Sequence, residues 1–433
     1  MNEFDKSLEN QKTGLKHKKK TVTDADKKFY LRATGGVRSA ENGGRSGRNA
    51  SGRVKLLDSL KNEKLKKLRA KKTVYYKKSL FSSVSGNATQ NGKYSISFLK
   101  GDYKRQLEVE DADGKSFKRK RNVKLRQDIV SVSPAKVKDR DRFACPECGE
   151  TASLRQLEEG CKGCGETSFI TDIFPMCGSY YCTEASRLSV SDIVRVTAWC
   201  CTLGAVIGIP AGIIKMVADM PQFITKEKIY EMIKSVFITP FEGAAIGFLG
   251  AVLIILGILI FDNVRRSPMI AKTDETRKKI TLFMSKYDSD FSYDEFESRL
   301  IFLVQLMLYS DNKPALGAYR GTGAINHSIA DSVYSGLAEF VKADEKFGIC
   351  SVTVKVTMYD VYCFGGKPKE QKDTFTVTLE RRGSVQPGIS EEASDKECAK
   401  CGEHFDMTTN KKCPFCGHEY DMRDCDWTVT VFK

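Results

Sequence analysis

Four Cys-x2-Cys-Gly turns, grouped in two pairs, place the strongest constraint on the fold of this 433-residue chain. Twelve residues separate the turns of the first pair, and eleven separate those of the second. Two such turns present four thiolates to one tetrahedral ion, and zinc favours this donor set. Four protein ligands leave no open coordination position, so the pattern predicts two structural zinc ions. The eight predicted ligands are Cys145, Cys148, Cys161 and Cys164 in one ribbon, and Cys398, Cys401, Cys413 and Cys416 in the other.

Other residues near the quartets leave alternatives open. Cys177 and Cys182 follow the first quartet and are either further ligands or free thiols. His404 and His418 flank the second quartet, and we expect them at the surface because that quartet is complete. The first ten residues, MNEFDKSLEN, contain no apolar signal-peptide core, which predicts a reducing compartment and metal thiolates in place of disulfides.

Two uncharged apolar segments lie in the middle of the chain, at residues 196–214 and 243–261. At about 1.5 Å per residue, each 19-residue segment is long enough to cross the hydrocarbon core of a bilayer. The alternative is a buried core helix, which the second segment disfavours because it has no polar face. We therefore predict transmembrane helices at 193–218 and 243–264, with an extracytoplasmic loop at 219–242.

Basic residues flank this pair of segments on their outer sides. Arg187 and Arg195 precede the first segment, and six Lys and Arg residues lie between 265 and 279. This bias predicts that both termini are cytoplasmic. Both segments also carry Gly-x3-Gly spacing, which permits close helix packing and a homo-oligomer, although lipid-facing glycine is equally compatible. The glycines are Gly204, Gly208 and Gly212 in the first segment and Gly243 and Gly247 in the second.

Residues 1–140 are strongly basic. They hold 37 Lys and Arg against 15 Asp and Glu, a net of +22 that leaves −7 for the remainder of the +15 chain. Lysine runs and a Gly/Ser/Arg-rich stretch predict a mostly disordered arm, with a helix near 55–70 and weak strands within 93–134. Such an arm binds anionic lipid or nucleic acid.

The last part of the chain, residues 278–433, predicts helices followed by strands. Apolar periodicity predicts a helix containing Phe296, Leu300 and Val304, and a second helix over 325–340. Alternating residues then predict strands at 350–364 and 373–382 and a final strand from Asp426, with the second ribbon inserted at 396–420. An α+β fold follows, in which Phe296, Leu300, Val304, Val354 and Val356 line an apolar pocket or a packed core.

Residues 280–433 resemble the Tim-forty-four-like domain of bacterial membrane proteins that carry a zinc ribbon before the last strand. The motifs are YDSDFSYDEFESRLIFLVQLMLYSDN and the terminal CAKCG…CPFCGHEYDMRDCDWTVTVFK. The resemblance implies a nuclear-transport-factor-like cone, with helices on a curved antiparallel sheet, in the bacterial plasma membrane. It also implies a link to protein transport, because mitochondrial relatives tether a chaperone motor to a translocation channel.

These features predict a binding protein. The chain has four histidines, and no acid–base pair can be named from the sequence, so we expect no enzyme activity. The leading hypothesis is a membrane-anchored adaptor with a first zinc ribbon at 141–184 and a cytosolic domain at 278–433 that binds a protein segment or lipid. The alternative is a membrane-tethered nucleic-acid-binding protein that uses the basic arm and the first ribbon.

Overall fold

The computed structural model describes residues 22–44, 46–78, 84–91, 93–138, 141–185, 190–218, 226–321, 327–363, 367–385 and 396–433. Contacts divide the chain into two compact units. A globular unit contains Met1–Lys77, Ser83–Ala185 and Met269–Lys433, and an apolar unit contains Lys78–Ser82 and Ser186–Pro268.

The first half of the globular unit begins with two helices. Thr23 caps the first helix in a capping box with Asp26, and the Ser51 hydroxyl caps the second by accepting a hydrogen bond from the Val54 N–H. Strands follow, with a small ribbon module before the last of them. The elements are α1 Asp24–Glu41, α2 Gly52–Lys67, β1 Lys71–Lys78, β2 Ser85–Asn91, β3 Tyr94–Glu110, β4 Ser116–Val132, β5 Arg142–Ala144, β6 Thr151–Ser153, α3 Leu154–Glu159, α4 Ile170–Ile173 and β7 Met176–Glu184.

The apolar unit supplies two long helices, and the second of them continues into the globular unit. The second half of the globular unit then has one further helix, a meander of long strands, the second ribbon and a final strand. The elements are α5 Val190–Ala218, α6 Lys226–Met284, α7 Tyr293–Tyr309, β8 Ile329–Lys346, β9 Ile349–Tyr362, β10 Lys369–Arg382, β11 Lys396–Glu397, β12 His404–Phe405 and β13 Thr428–Phe432.

Within the described residues, nine strands form one mixed sheet. Its order is β1-β3-β4-β7-β8-β9-β10-β13, and β2 pairs with β3. The junction between β7 and β8 is parallel and consists of one pair, Thr183 with Tyr334. Each half therefore has the same element order: helix, helix, three principal strands, a four-cysteine ribbon and a closing strand. The chain repeats one architecture twice, and the apolar unit is inserted between the two copies.

Three apolar clusters hold the globular unit together. The largest surrounds α7 and contains Leu300, Val304, Val354 and Trp427. The second joins the strands of the first half to the outer face of β8 and β9, and the third packs the first ribbon against β3 and β4. Strands β8 and β9 give Ala330, Val333 and Val361 to the second cluster and Tyr334 and Met358 to the largest, so neither half of the globular unit has an independent core.

The apolar unit packs its two helices closely at glycine. A Cβ atom placed on Gly204 would lie 2.1 Å from the Gly243 carbonyl oxygen, and one on Gly247 would lie 2.1 Å from the Cys200 carbonyl oxygen. The Gly-x3-Gly spacing therefore serves a contact within the chain. The predicted loop at 219–242 is shorter than expected, because α6 begins at Lys226 and continues into the apolar segment.

The prediction of a disordered arm over 1–140 was wrong for the described residues, which form α1, α2 and β1 to β4. The predicted helix near 55–70 corresponds to α2. The basic composition predicted disorder because it suggested solvated side chains, but several of these side chains are buried in ion pairs. The pairs are Lys64 with Asp311, Lys72 with Asp331, and Arg105 with Asp331. Residues 1–21 lie outside the described part of the chain.

The predicted second helix over 325–340 was also wrong, since Ile329–Lys346 is strand β8. Three irregularities interrupt its pairing with β9, between Ile329 and Asp331, Tyr334 and Ala338, and Phe340 and Lys342. The first and third irregularities each add one residue to β8, and the middle one adds two, so the period-2 pattern is lost and the apolar spacing approximates a helix. The absence of this helix leaves the cone-shaped fold a prediction, while the α+β class is confirmed.

The second ribbon lies between two strands that pair with each other. Strand β10 ends at Arg382, and β13 pairs with it antiparallel, with Val377 opposite Phe432. The ribbon occupies the connection between them. The first ribbon is shorter than the predicted 141–184, because β7 belongs to the main sheet and closes the first half in the same way.

Candidate metal centres and the cleft between them

Each Cys-x2-Cys turn has the same backbone geometry. In the first turn, the Gly149 N–H donates to the Cys145 carbonyl, and the Cys145 N–H donates to the Glu150 carbonyl. The other three turns repeat both bonds at equivalent positions. The glycines have φ values of 80°, 76°, 76° and 73°, a left-handed conformation that a residue with a Cβ rarely adopts.

The turns bring the predicted ligands together in two quartets. Within each quartet the four sulfur atoms lie within 4.8 Å of one another. Cys145 Sγ lies 3.7 Å from Cys164 Sγ, and Cys398 Sγ lies 3.5 Å from Cys416 Sγ. A tetrahedral ion with Zn–S bonds of about 2.3 Å separates its sulfurs by roughly 3.8 Å, so both quartets fit zinc. The distances also exclude disulfides, whose sulfurs are about 2.05 Å apart.

In each quartet, local hydrogen bonds favour the thiolate form of one cysteine. Burial opposes ionisation of Cys145, but the N–H groups of Cys148 and Glu147 outweigh it and lower the pKa to about 7. Burial likewise opposes ionisation of Cys398, where the Tyr420 hydroxyl and backbone N–H groups lower the pKa to about 5. Zinc, when bound, would form four bonds that hold the two turns of each ribbon together. The N–H groups and the Tyr420 hydroxyl would stabilise its charged thiolate ligands.

Each ribbon belongs to the hydrophobic core of its own half. Cys145 and Cys161 are buried in a cluster with Phe143 and Leu157. Cys398 and Cys413 belong to the α7 cluster, in which Met407 is also buried. The ribbons are therefore structural parts of each half, as closed four-thiolate sites are expected to be.

The remaining candidate ligands lie elsewhere. Cys177 and Cys182 are buried on β7, outside both quartets, and Cys182 Sγ lies 3.1 Å from the Tyr76 hydroxyl. They are free thiols. His418 is exposed, as expected, whereas His404 is only half-buried and lines a cleft.

This cleft, of about 480 Å³, is lined by residues from both ribbons. Arg142 and Pro146 come from the first ribbon, and Lys396, His404 and Asp406 come from the second. Its volume lies within the range of ligand pockets, roughly 300–1,000 Å³. Its walls carry both basic and acidic side chains, including Arg48, Lys55, Lys93, Asp141 and Glu397.

Several of these charges have partners across the cleft walls. Arg48 Nε lies 2.5 Å from Glu147 Oε1, and Lys93 Nζ lies 2.8 Å from Asp141 Oδ1. The Lys55 ammonium donates to the Pro146 carbonyl at 3.3 Å. The walls are thus ordered by ion pairs, and the cleft is polar and mixed in charge.

The predicted apolar pocket residues lie together in the core. Phe296, Leu300, Val304, Val354 and Val356 are all 2% exposed or less and belong to one cluster. None of them lines either of the two larger described cavities. The packed-core alternative accounts for this burial, and an open pocket at these residues stays a prediction.

Sequence reasoning missed a buried network of charges between the two halves. Arg105 donates to both oxygens of Asp331, and Lys72 lies 3.5 Å from the same carboxylate. Burial alone would raise the pKa of Asp331, but Arg105 and Lys72 hold it well below its ordinary value. Glu41 accepts from Arg105 at 3.3 Å and from the Tyr76 hydroxyl at 2.7 Å. No local motif marks these residues, which are far apart in sequence.

A second missed residue is Asp360 on β9. Its side chain is fully buried, and neither oxygen has a hydrogen bond within the described residues, although Ser332 and Asp373 lie beside it. Burial raises its pKa to about 7. The residue continues the inward-facing series Val354, Val356 and Met358, so alternation predicted its direction but not its burial.

No protein-family model, curated protein or solved structure matches this chain. The resemblance to the Tim-forty-four-like domain therefore remains an expectation from the sequence. The geometry of the two ribbons, the cleft and the exposed surfaces is the basis for assigning a function.

Proposed function

We propose that this protein is a membrane-anchored adaptor that binds a protein segment in the cleft between its two zinc ribbons. One observation carries the anchor. Helices α5 and α6 contain the apolar stretches Ile193–Ala211 and Phe237–Val264. Only 6% of the residues in the apolar window of the first stretch and 11% in that of the second are buried within the protein. A core helix of a soluble protein buries its apolar side chains, whereas these expose them, as a bilayer-spanning hairpin does.

The cleft supports a binding role. The two ribbons that form it have complete sets of four thiolates, which suit rigidity more than chemistry. Rigid walls that carry charges of both signs favour an extended polar peptide, whose backbone and side chains can pair with both. An acyl chain fits these walls poorly because burial of Lys396 or Asp406 beside hydrocarbon is unfavourable.

The anchor places the globular unit at a membrane. The basic flanks of the apolar segments favour an orientation with both termini in the cytoplasm. A bacterial plasma membrane is what the resemblance of residues 280–433 implies. The resemblance of residues 280–433 to the Tim-forty-four-like domain is the argument for a link to protein transport. Binding without catalysis is the simplest function for this arrangement.

Topology reporters test the anchor. Fusions at Gln222 and at Lys433 should report opposite sides of the membrane, because one apolar helix precedes Gln222 and the other follows it. Extraction of the protein by alkaline carbonate, or the same side for both fusions, would contradict a spanning hairpin.

Site-specific photo-crosslinking tests the cleft. A photoreactive residue at Lys396 should give a discrete adduct in cells, whereas the same residue at the exposed Lys286 should not. The variant Arg142→Glu should reduce the Lys396 adduct, since it reverses a wall charge without removing a buried group. Equal adducts at Lys396 and Lys286 would show that the cleft is not the binding site.

A further inference from the structure

One face of the first half is an exposed, lysine-rich sheet. Strands β3 and β4 form a long antiparallel hairpin in which Lys104 pairs with Asn122, Gln106 with Lys120, and Glu108 with Lys118. Directly opposed residues share a face, so lysines from both strands project to the same side. Asp102 opposite Lys124 continues the series.

The opposite face of the hairpin carries most of its apolar side chains. Tyr103, Leu107, Val109, Val123 and Leu125 alternate with the lysines and are all buried. Their burial fixes the register, because a shift by one residue would bury the lysines and expose the core. The lysine face is therefore a permanent outer surface.

Edge strand β1 extends this surface. Val74 and Tyr76 are buried, and the Tyr76 hydroxyl accepts from Arg105, which is on the inner face of β3. The alternate residues Lys71, Tyr75 and Lys77 are exposed on the other side, Tyr75 by 64%. We call the outer side of β1, β3 and β4 the lysine face.

The lysine face carries a net positive charge. Its acidic residues are Asp102, Glu108 and Glu110, and Glu108 is paired with Lys118 at 2.8 Å. The face has four more lysines than acids, and it also presents one aromatic ring. The lysines of the face are Lys71, Lys77, Lys100, Lys104, Lys118, Lys120 and Lys124.

We propose that the lysine face docks on the headgroups of an anionic bilayer. This inference rests on the proposed membrane anchor and names the surface that contacts lipid. The chain provides the argument for lipid: Glu184, which ends β7, pairs with Val123 of the same hairpin, and residues 185–189 alone connect it to α5. Five residues span at most about 17 Å, so a bilayer holding α5 is always within reach of the tether.

Two features of the face favour lipid over nucleic acid. The lysines are spread over three strands, which suits contact with a plane of lipid headgroups. The face has one exposed aromatic ring, whereas proteins that bind single-stranded nucleic acid stack bases on several. The attraction of each lysine to an anionic surface is electrostatic, and salt at about 0.1 M screens it within roughly 10 Å.

The test uses the full-length protein in nanodiscs of phosphatidylcholine or of phosphatidylcholine with phosphatidylglycerol. Acylation of lysines by an amine-reactive ester, read by mass spectrometry, reports the accessibility of each side chain. Phosphatidylglycerol should slow labelling of Lys104, Lys120 and Lys124 at least threefold at about 50 mM salt, and about 500 mM salt should restore it. Labelling of the exposed Lys286 and Lys400 should not change.

Matched triple variants locate the contact. Lys118→Gln, Lys120→Gln and Lys124→Gln together should abolish the protection of Lys71 and Lys104, because the face loses charge while its buried side is unaltered. The control combines Lys66→Gln, Lys286→Gln and Lys400→Gln, three exposed positions outside the face, and should retain the protection.

The outcomes separate the two proposals. Failure of the protein to enter nanodiscs would overturn the membrane anchor. Entry with equal labelling in both lipids would overturn the lysine face alone. Protection by an added oligonucleotide in phosphatidylcholine discs, without protection by phosphatidylglycerol, would assign the face to nucleic acid and also overturn docking on lipid.

Discussion

Arg105 of β3 and Asp331 of β8 form a two-pronged ion pair, with N–O distances of 2.8 and 2.7 Å, between the two halves of the globular unit. Each side chain is 4% exposed. The β7–β8 junction of the sheet contains a single residue pair, so this buried contact is a main polar link between the repeated architectures.

Removal of one partner should destabilise the protein strongly. Asp331→Ala removes the carboxylate that Arg105 and Lys72 share and leaves Arg105 only the longer contact with Glu41, and the loss of one partner from a buried pair costs about 3–5 kcal/mol. The control Glu108→Ala breaks the exposed pair with Lys118 and should change the free energy of unfolding by about 0.5 kcal/mol or less. Denaturant unfolding of the detergent-solubilised chain measures both, and equal midpoints for the two variants would contradict the assignment.

Metal analysis should find two zinc ions per chain. Both quartets fit a tetrahedral ion, so Cys148→Ser and Cys401→Ser should each weaken one site and leave the other filled. Elemental analysis after gel filtration measures the ratio. One equivalent in the unaltered protein would show that a quartet is not a metal site.

The ribbons, the apolar helices and strand β9 could be predicted because each depends on local spacing. Only two residues separate Cys413 from Cys416 in their turn, and strand alternation from Val352 to Met358 is uninterrupted. In such patterns the spacing of residues along the chain predicts the local structure without knowledge of tertiary contacts.

The first half could not be predicted because its basic residues were read as solvated. Lys72 and Arg105 are buried through pairs with Asp331, which is more than 220 positions away and lay in a predicted helix. The repeat of the two halves was missed for a related reason. The three bulges in β8 concealed the strand that makes the second half match the first.

Loss of zinc from the second ribbon should loosen the last strand in particular. Cys413 and Met407 share the α7 core cluster, and the Gly317 backbone packs against the Met407 carbonyl. Cys413→Ser should therefore increase amide hydrogen exchange in β10 and β13, since metal binding contributes folding free energy. The matched variant Cys161→Ser, in the separate cluster of the first ribbon, should leave β13 protected. Equal exchange of β13 in both variants would show that the ribbons do not act on their own halves.

The pH dependence of stability should contain a contribution from Asp360. Burial raises the pKa of this carboxyl to about 7 in the folded protein, whereas the unfolded chain has the ordinary value near 3.9. The folded state holds the proton more tightly, so the contribution is fully present below about pH 4 and is lost as pH rises toward 7. Between pH 5 and 8, deprotonation of this group should lower the free energy of unfolding of the wild type by about 2–3 kcal/mol. Asp360→Asn has no carboxyl at this position and should not show this decrease.

Thermal unfolding of the two proteins across this range measures the effect. Asp360→Asn should gain stability relative to wild type as pH increases, and the gain should level off above pH 7. Asp113→Asn, at a side chain 72% exposed, is the control and should run parallel to wild type. Zinc loss at low pH affects all three proteins, so the difference between curves isolates the carboxyl. Parallel curves for Asp360→Asn and wild type would mean that this buried carboxyl does not titrate between pH 5 and 8, and that polar neighbours such as Ser332 solvate its charge.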